Sequence, residues 1–116
     1  MLYLICKTLK RNQMNLDGIE LTFTPTFNTV DELREYLIGR ELTDTVYFDS
    51  PSFVKAIIGI TESGQLIYEY NLMIVAAMEE QEWDCEEAIE WIEYNTLRSI
   101  PYMGDLHPIV MMPLDY

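Results

Sequence analysis

The chain has 116 residues, of which 49% are apolar, and its 20 acidic and 7 basic side chains give a net charge of −13. This length fits one domain, here residues 1–116, and the apolar content excludes a disordered tail. The charge argues against direct nucleic-acid binding, because such binding needs Lys and Arg to neutralise phosphates. The longest apolar run, residues 72–78, is far below the roughly 20 residues of a membrane span, so we expect no membrane partner.

The cysteines and the N-terminus indicate the compartment. Cys6 and Cys85 are far apart and form no CxxC pattern, which predicts two free thiols in a reducing cytoplasm. Residues 1–6 are apolar, but basic residues follow this segment instead of preceding it, so we expect no signal peptide. The predicted location is the bacterial cytoplasm.

The first elements are predicted from alternation and from capping residues. Residues 18–27 alternate between apolar and polar side chains, as in a half-buried strand. Thr29 and Glu32 match a capping box, and apolar residues at helical spacing follow until Gly39, which predicts a helix that ends there. Residues 45–48 are β-branched and aromatic, and they predict a short strand.

The middle of the chain predicts a hairpin followed by a helix. Residues 53–61 and 65–70 flank a three-residue connection that ends in Gly64, and this glycine can adopt the positive φ of a tight turn. The apolar run that follows is compatible with a strand or a helix. We choose a helix over residues 71–81, because a third strand directly after residue 70 would lack a turn.

A second long helix is predicted over residues 84–99, with Asp84 as its N-cap. Its apolar side chains fall on one face at 100° per residue: Cys85, Ala88, Ile89, Ile92 and Thr96. Residues 109–112 predict a last strand. The expected fold is α+β, with a mostly antiparallel sheet, a central β-hairpin and about three helices packed on one face.

An acidic run is the best indication of function. No Lys or Arg occurs between Lys55 and Arg98, and residues 79–93 contain eight acidic side chains: Glu79, Glu80, Glu82, Asp84, Glu86, Glu87, Glu90 and Glu93. Like charges three or four positions apart on a helix cost about 0.2–0.5 kcal/mol per pair, so stability alone does not favour them. The run predicts a surface for a basic partner.

Part of this run also has a structural explanation. Asp84, Glu86 and Glu87 lie in a first helical turn, where capping and the helix dipole stabilise carboxylates. The predicted stripe of Glu86, Glu90 and Glu93 extends beyond that turn. The alternative is a solvated face with no partner.

Trp91 lies between the apolar and acidic faces of the predicted helix, so we expect it to be an exposed aromatic anchor. Together with the eight acids it forms the predicted partner-binding set.

Catalytic and cofactor motifs are absent from the sequence. His107 is the sole histidine and has no nucleophile at a recognisable spacing. The acidic run lacks the pattern of a calcium loop, and the glycines form neither a Walker loop nor a dinucleotide fingerprint. We therefore expect a protein that is not an enzyme and that needs no cofactor or metal.

One resemblance to known proteins rests mainly on residues 56–59, 64–68, 86–96, 101–104 and 108–111, and it is weaker over residues 29–39. In these segments the chain resembles a group of small acidic proteins encoded by phages and mobile elements of Firmicutes. It implies a gene that acts in a bacterial cytoplasm during infection, where small acidic proteins, including anti-CRISPR proteins, often inhibit host defence.

The sequence thus predicts an inhibitor that binds a basic host protein, such as a nucleic-acid-binding effector, in the manner of a DNA mimic. The alternative is an assembly or regulatory subunit, such as a homodimer, that acts through the hairpin edge or residues 101–113.

Overall fold

A computed structural model describes residues 24–115. Its regular elements are α1 (Val30–Gly39), β1 (Ile57–Ile60), β2 (Leu66–Glu69), α2 (Tyr70–Gln81), α3 (Cys85–Trp91), α4 (Leu97–Ser99) and β3 (Ile109–Met111). A π-helix joins α3 to α4 (Ile92–Thr96), and 3₁₀ turns precede β1 (Val54–Ala56) and follow α4 (Ile100–Tyr102). The predicted α+β class is confirmed.

The sheet described here has three strands in the order β1-β2-β3. β1 and β2 form the predicted antiparallel hairpin, with Ile60 opposite Leu66 and a register shift between Ile57 and Gly59. β3 runs parallel to β2, so the sheet is mixed and not mostly antiparallel. This parallel pairing is compatible with a long crossover, because α2, α3 and α4 all lie between the two strands in the sequence.

α1 begins and ends with local motifs. At its start, Thr29 Oγ1 accepts from the backbone N–H of Glu32, and the Glu32 carboxylate accepts from the Thr29 N–H, which confirms the predicted capping box. The helix ends at Gly39 as predicted, but Glu41, at φ 59°, takes the left-handed conformation that closes it. The Leu42 N–H then donates to the Leu37 carbonyl at 2.8 Å, as in a Schellman motif.

α2 follows β2 without an intervening loop. The Glu69 carboxylate, on the last residue of β2, accepts from the backbone N–H groups of Asn71 and Leu72 at 3.0 and 2.9 Å. One side chain therefore ends the strand and caps the helix. The prediction of a helix over the apolar run is confirmed.

The predicted helix over residues 84–99 is helical throughout but not uniform. Asp84 is its N-cap, and the predicted apolar face is buried. The middle of this helix, Ile92–Thr96, is a π-helix. The Leu97 N–H donates to the Ile92 carbonyl, five residues earlier. This wide turn changes the direction of the residues that follow α3.

Two predicted strands differ from the structure. Residues 45–48 are not a strand, and within residues 24–115 their one backbone–backbone bond to a distant segment runs from the Val46 N–H to the Leu106 carbonyl at 3.3 Å. Thr45 instead donates its hydroxyl to the Gly64 carbonyl at 2.8 Å. The predicted strand at 18–27 lies mostly outside the described residues, and residues 24–27 are not a strand.

The core lies where β2, α1, α2 and α3 meet. Leu33 of α1, Leu66 and Tyr68 of β2, Met73 of α2 and Ile89 of α3 are all fully buried. Burial raises the pKa of the Tyr68 hydroxyl, so this ring stays uncharged in the core. α3 is thus fixed against the core by one face, and its opposite face is left for other contacts.

Cys85, at the first position of α3, is buried and disulfide-bonded. The prediction that it is a free thiol is therefore wrong. The other cysteine of the chain, Cys6, lies outside the described residues. Sequence spacing did not predict a disulfide at Cys85, because separation along the chain does not determine distance in space.

Candidate protein-binding surface

The acidic run does not form one continuous surface. Its members lie on the end of α2, on the connection that follows, on α3 and on the π-helix. The contacts of each side chain separate those that support the fold from those that face solvent without a partner.

Glu80 supports the fold. Its carboxylate accepts from the Ser52 N–H at 3.0 Å, the Ser52 hydroxyl at 2.6 Å and the Phe53 N–H at 3.0 Å. Phe53 is buried and has a left-handed backbone with φ 52°. Glu80 therefore holds a strained segment in place, and its carboxylate is already occupied.

Three further acids also have partners. The Glu79 carboxylate lies 3.2 Å from Lys55 Nζ in an exposed ion pair. Asp84 and Glu87 form a capping box, in which Asp84 Oδ1 accepts from the Glu87 N–H at 2.8 Å and Glu87 Oε1 accepts from the Asp84 N–H at 3.3 Å. The expected structural role of this first turn is thus observed.

Glu93 does not continue the stripe of Glu86 and Glu90. It is half-buried, and Glu93 Oε1 accepts a hydrogen bond from the buried Tyr70 hydroxyl at 3.3 Å. Glu93 lies in the π-helix, whose wide turn departs from the 100° spacing assumed for the predicted stripe. This carboxylate faces the protein more than solvent.

Glu82, Glu86 and Glu90 remain as exposed acids. Within residues 24–115, no Lys, Arg or His nitrogen lies within 4 Å of their carboxylates. Glu87 adds a fourth exposed carboxylate beside them, although its capping bond occupies one oxygen. The predicted acidic surface is therefore centred on the outer face of α3.

Aromatic side chains border the same face. The ring centroids of Trp83 and Trp91 are 5.2 Å apart with an interplanar angle of 41°. Trp91 is 38% exposed and Tyr94 is 59% exposed, as expected for an aromatic anchor at Trp91. A groove of about 460 Å³ is lined by Trp83, Glu87, Glu90, Trp91, Tyr94 and Asn95. We call it the aromatic–acidic groove.

Trp83, Tyr94 and Asn95 were not among the predicted site residues. A signal for them exists in the spacing, because Trp83, Glu87 and Trp91 follow one another at intervals of four, as do Glu90 and Tyr94. Such intervals place side chains on the same side of a helix. Trp83 precedes the N-cap, so its position depends on the connection after α2, where Glu82 has φ 56°.

Other chemistry has little support among residues 24–115. No three His, Cys, Asp or Glu side chains in this part of the chain are placed to hold a metal ion. His107 Nδ1 contacts the Pro108 carbonyl at 2.9 Å, and the His107 carbonyl accepts from the Gln65 side chain at 3.0 Å. These contacts tie the connection before β3 to the hairpin.

Comparison of the chain with protein-family models, curated proteins and solved structures returned no match. Of the helices described, none combines the length and the apolar character needed to cross a membrane. The geometry of the surface on α3 is therefore the main basis for a functional conclusion.

Proposed function

We propose that this chain is a non-enzymatic, phage-type inhibitor that binds a basic site on a host nucleic-acid-binding protein in the bacterial cytoplasm. The observation that carries the proposal is the outer face of α3, where Glu86 and Glu90 are exposed and no basic nitrogen of residues 24–115 lies within 4 Å of their carboxylates. Exposed aromatic rings lie beside them, which adds apolar contact area to the charge.

The charge of the surface suits a protein partner that normally holds nucleic acid. The Lys and Arg side chains of a nucleic-acid channel are already arranged to meet a row of negative charges. Glu86 and Glu90 are four positions apart, a separation of about 5–6 Å between Cβ atoms. Binding would therefore compete with nucleic acid, in the manner of a DNA mimic or an anti-CRISPR protein.

Contacts within the fold reduce the set of acidic side chains that we assign to the partner. Glu80 holds the 52–53 segment and Glu93 accepts from Tyr70, so neither carboxylate is assigned to the partner. Glu79 contributes only after it leaves Lys55. The proposed contact residues are Glu82, Glu86, Glu87, Glu90 and Trp91.

The test is capture of partners from a host lysate on the immobilised chain at about 0.05 M and about 0.5 M salt. The Debye length shrinks from roughly 14 to roughly 4 Å over this range, so the specific partner should be released at the higher salt. Nucleic acid added at low salt should displace the same protein. A captured partner that holds nucleic acid and this chain together would contradict the proposed inhibition.

A second candidate is an assembly or regulatory subunit that acts through the C-terminal segment. Tyr102 is 89% exposed and Met111 is 46% exposed, and Leu114 is fully exposed, so this segment presents large apolar side chains. Size-exclusion chromatography with light scattering separates the candidates. A tight oligomer that is insensitive to salt favours assembly, whereas a monomer at all salt concentrations favours the inhibitor.

A further inference from the structure

We propose that the aromatic–acidic groove receives an arginine side chain of the basic partner, with the guanidinium stacked on the exposed indole of Trp91 and paired with Glu90. This inference rests on the proposed function and deepens it, because it names the group that anchors the partner. The groove lies on one side of α3 and the connection before it, and it holds about 460 Å³.

The groove joins two features that separately attract a cation. The tilted pair of Trp83 and Trp91 lines the groove, Trp91 is 38% exposed, and indole is the aromatic ring that binds cations best. The carboxylate of Glu90 lines the same groove and has no basic partner within 4 Å in residues 24–115. A cation placed there would meet a ring face and a negative charge together.

The rim of the groove already shows this chemistry. Arg98 follows Tyr94 by four positions, and its guanidinium carbon lies 4.8 Å from the centroid of the Tyr94 ring. Elsewhere in the fold, Arg40 lies 5.0 Å from the Tyr36 ring. Guanidinium groups thus lie over one exposed and one half-buried tyrosine of this protein, although tyrosine binds a cation less strongly than tryptophan.

The groups that line the groove favour arginine over lysine. A guanidinium is planar and can lie flat on an indole while its N–H groups donate to a carboxylate in the same plane. An ammonium is a compact, strongly hydrated charge that loses more hydration in such a contact. Glu87 Oε1 is partly occupied by the capping bond, so Glu90 is the carboxylate assigned to the pairing.

The test uses the full chain and three small probes: N-acetyl-arginine methylamide, the lysine equivalent, and the uncharged citrulline equivalent. Chemical shifts of the Trp83 and Trp91 indole N–H groups are followed by NMR during each titration. We expect the arginine probe to move both signals and to bind most tightly, and the citrulline probe to leave them unchanged. Glu90→Gln should weaken arginine binding about fivefold.

Matched variants separate the groove from overall charge. Glu35→Gln removes the same charge from an exposed position on α1 and should leave the affinity for arginine unchanged. Trp91→Phe should weaken binding less than Trp91→Ala, because phenylalanine keeps a ring face. Equal binding of the arginine and citrulline probes, equal binding of the lysine probe, or equal loss in Glu35→Gln and Glu90→Gln would overturn the inference.

The groove assignment and the proposed function can fail separately, and the two experiments distinguish these failures. If the lysate partner is captured in a salt-sensitive manner but the arginine probe leaves both indole signals unmoved, the groove assignment alone is wrong. If the arginine probe binds as expected but no salt-sensitive partner competes with nucleic acid, the proposed inhibition is wrong.

Discussion

At the residue scale, neighbouring acids on the last turn of α2 have different roles. Glu80 accepts three hydrogen bonds from Ser52 and Phe53, whereas Glu79 forms one exposed ion pair with Lys55. In the sequence, both residues belong to the same acidic run, residues 79–93. The distinction depends on the position of the 52–53 segment beside Glu80, and this segment is more than 25 positions away in the chain.

We predict that Glu80→Ala lowers the free energy of unfolding by about 2–3 kcal/mol, because it leaves backbone donors of a buried segment without an acceptor. Urea unfolding monitored by circular dichroism measures the change. Glu79→Ala is the matched control, since its loss of an exposed ion pair should cost less than about 1 kcal/mol. Equal losses in the two variants would show that the bonds to Ser52 and Phe53 contribute nothing.

At the element scale, local chemistry predicted some elements well and missed others. The capping box at Thr29, the N-cap at Asp84 and the turn at Gly64 are local signals, and all three are observed. The strand predicted at residues 45–48 is not observed, since a strand requires a partner and the propensity of four residues contains no information about one. The π-helix over Ile92–Thr96 was not predicted, because the helical spacing of residues 84–99 does not distinguish it from an α-helix.

The hairpin turn provides a test at this scale. Gly64 has φ 99°, and a Cβ placed there would lie 3.4 Å from Leu42 Cδ2 and 3.5 Å from Thr45 Oγ1. We predict that Gly64→Ala costs about 1–2 kcal/mol, because the left-handed conformation strains any L-residue with a side chain. The measurement is the midpoint of urea unfolding.

Gly39 is the control for that substitution. It is the last residue of α1, and a Cβ there would meet no atom within 4 Å. Gly39→Ala should therefore stabilise the protein by about 0.5–1 kcal/mol, through helix propensity. Destabilisation at both glycines would mean that the space and backbone described for Gly39 are wrong.

At the scale of the whole molecule, the disulfide at Cys85 must be reconciled with the proposed cytoplasmic setting. We predict that the reduced protein still unfolds cooperatively, because the core around Leu66, Tyr68 and Met73 is apolar and fully buried. Reduction should lower stability by about 2–4 kcal/mol. Thermal unfolding with and without reductant measures this.

Cys85→Ser is the control for reduction and should behave as the reduced protein does, with or without reductant. If the reduced wild-type chain is unfolded at 25 °C, the cytoplasmic setting is contradicted, since glutathione and thioredoxin keep thiols reduced there.

The candidate site could be predicted from the sequence only in outline. The periodicity of residues 84–99 placed Glu86, Glu90 and Trp91 on exposed sides of a helix, and all three are exposed. Glu80 and Glu93 were assigned to the same surface, but their hydrogen bonds to distant residues direct them to the fold. Charge patterning identifies a solvated face, whereas only packing shows which carboxylates are already in use.

We propose that a basic partner binds to the outer face of α3 specifically and does not respond only to the net charge of the protein. The most direct measurement is the affinity of a labelled arginine-rich peptide for two double variants that remove the same charge. One is Glu86→Gln with Glu90→Gln on α3, and the other is Glu35→Gln with Glu62→Gln, at exposed positions on α1 and in the hairpin turn.

We predict that the α3 pair weakens binding about tenfold, since two surface charge contacts of about 0.7 kcal/mol each account for that ratio. The pair at Glu35 and Glu62 should change binding less than about twofold, because salt screens charges that are distant from the bound peptide. Equal losses in the two double variants would mean that the peptide responds only to net charge, and this result would contradict a specific surface on α3.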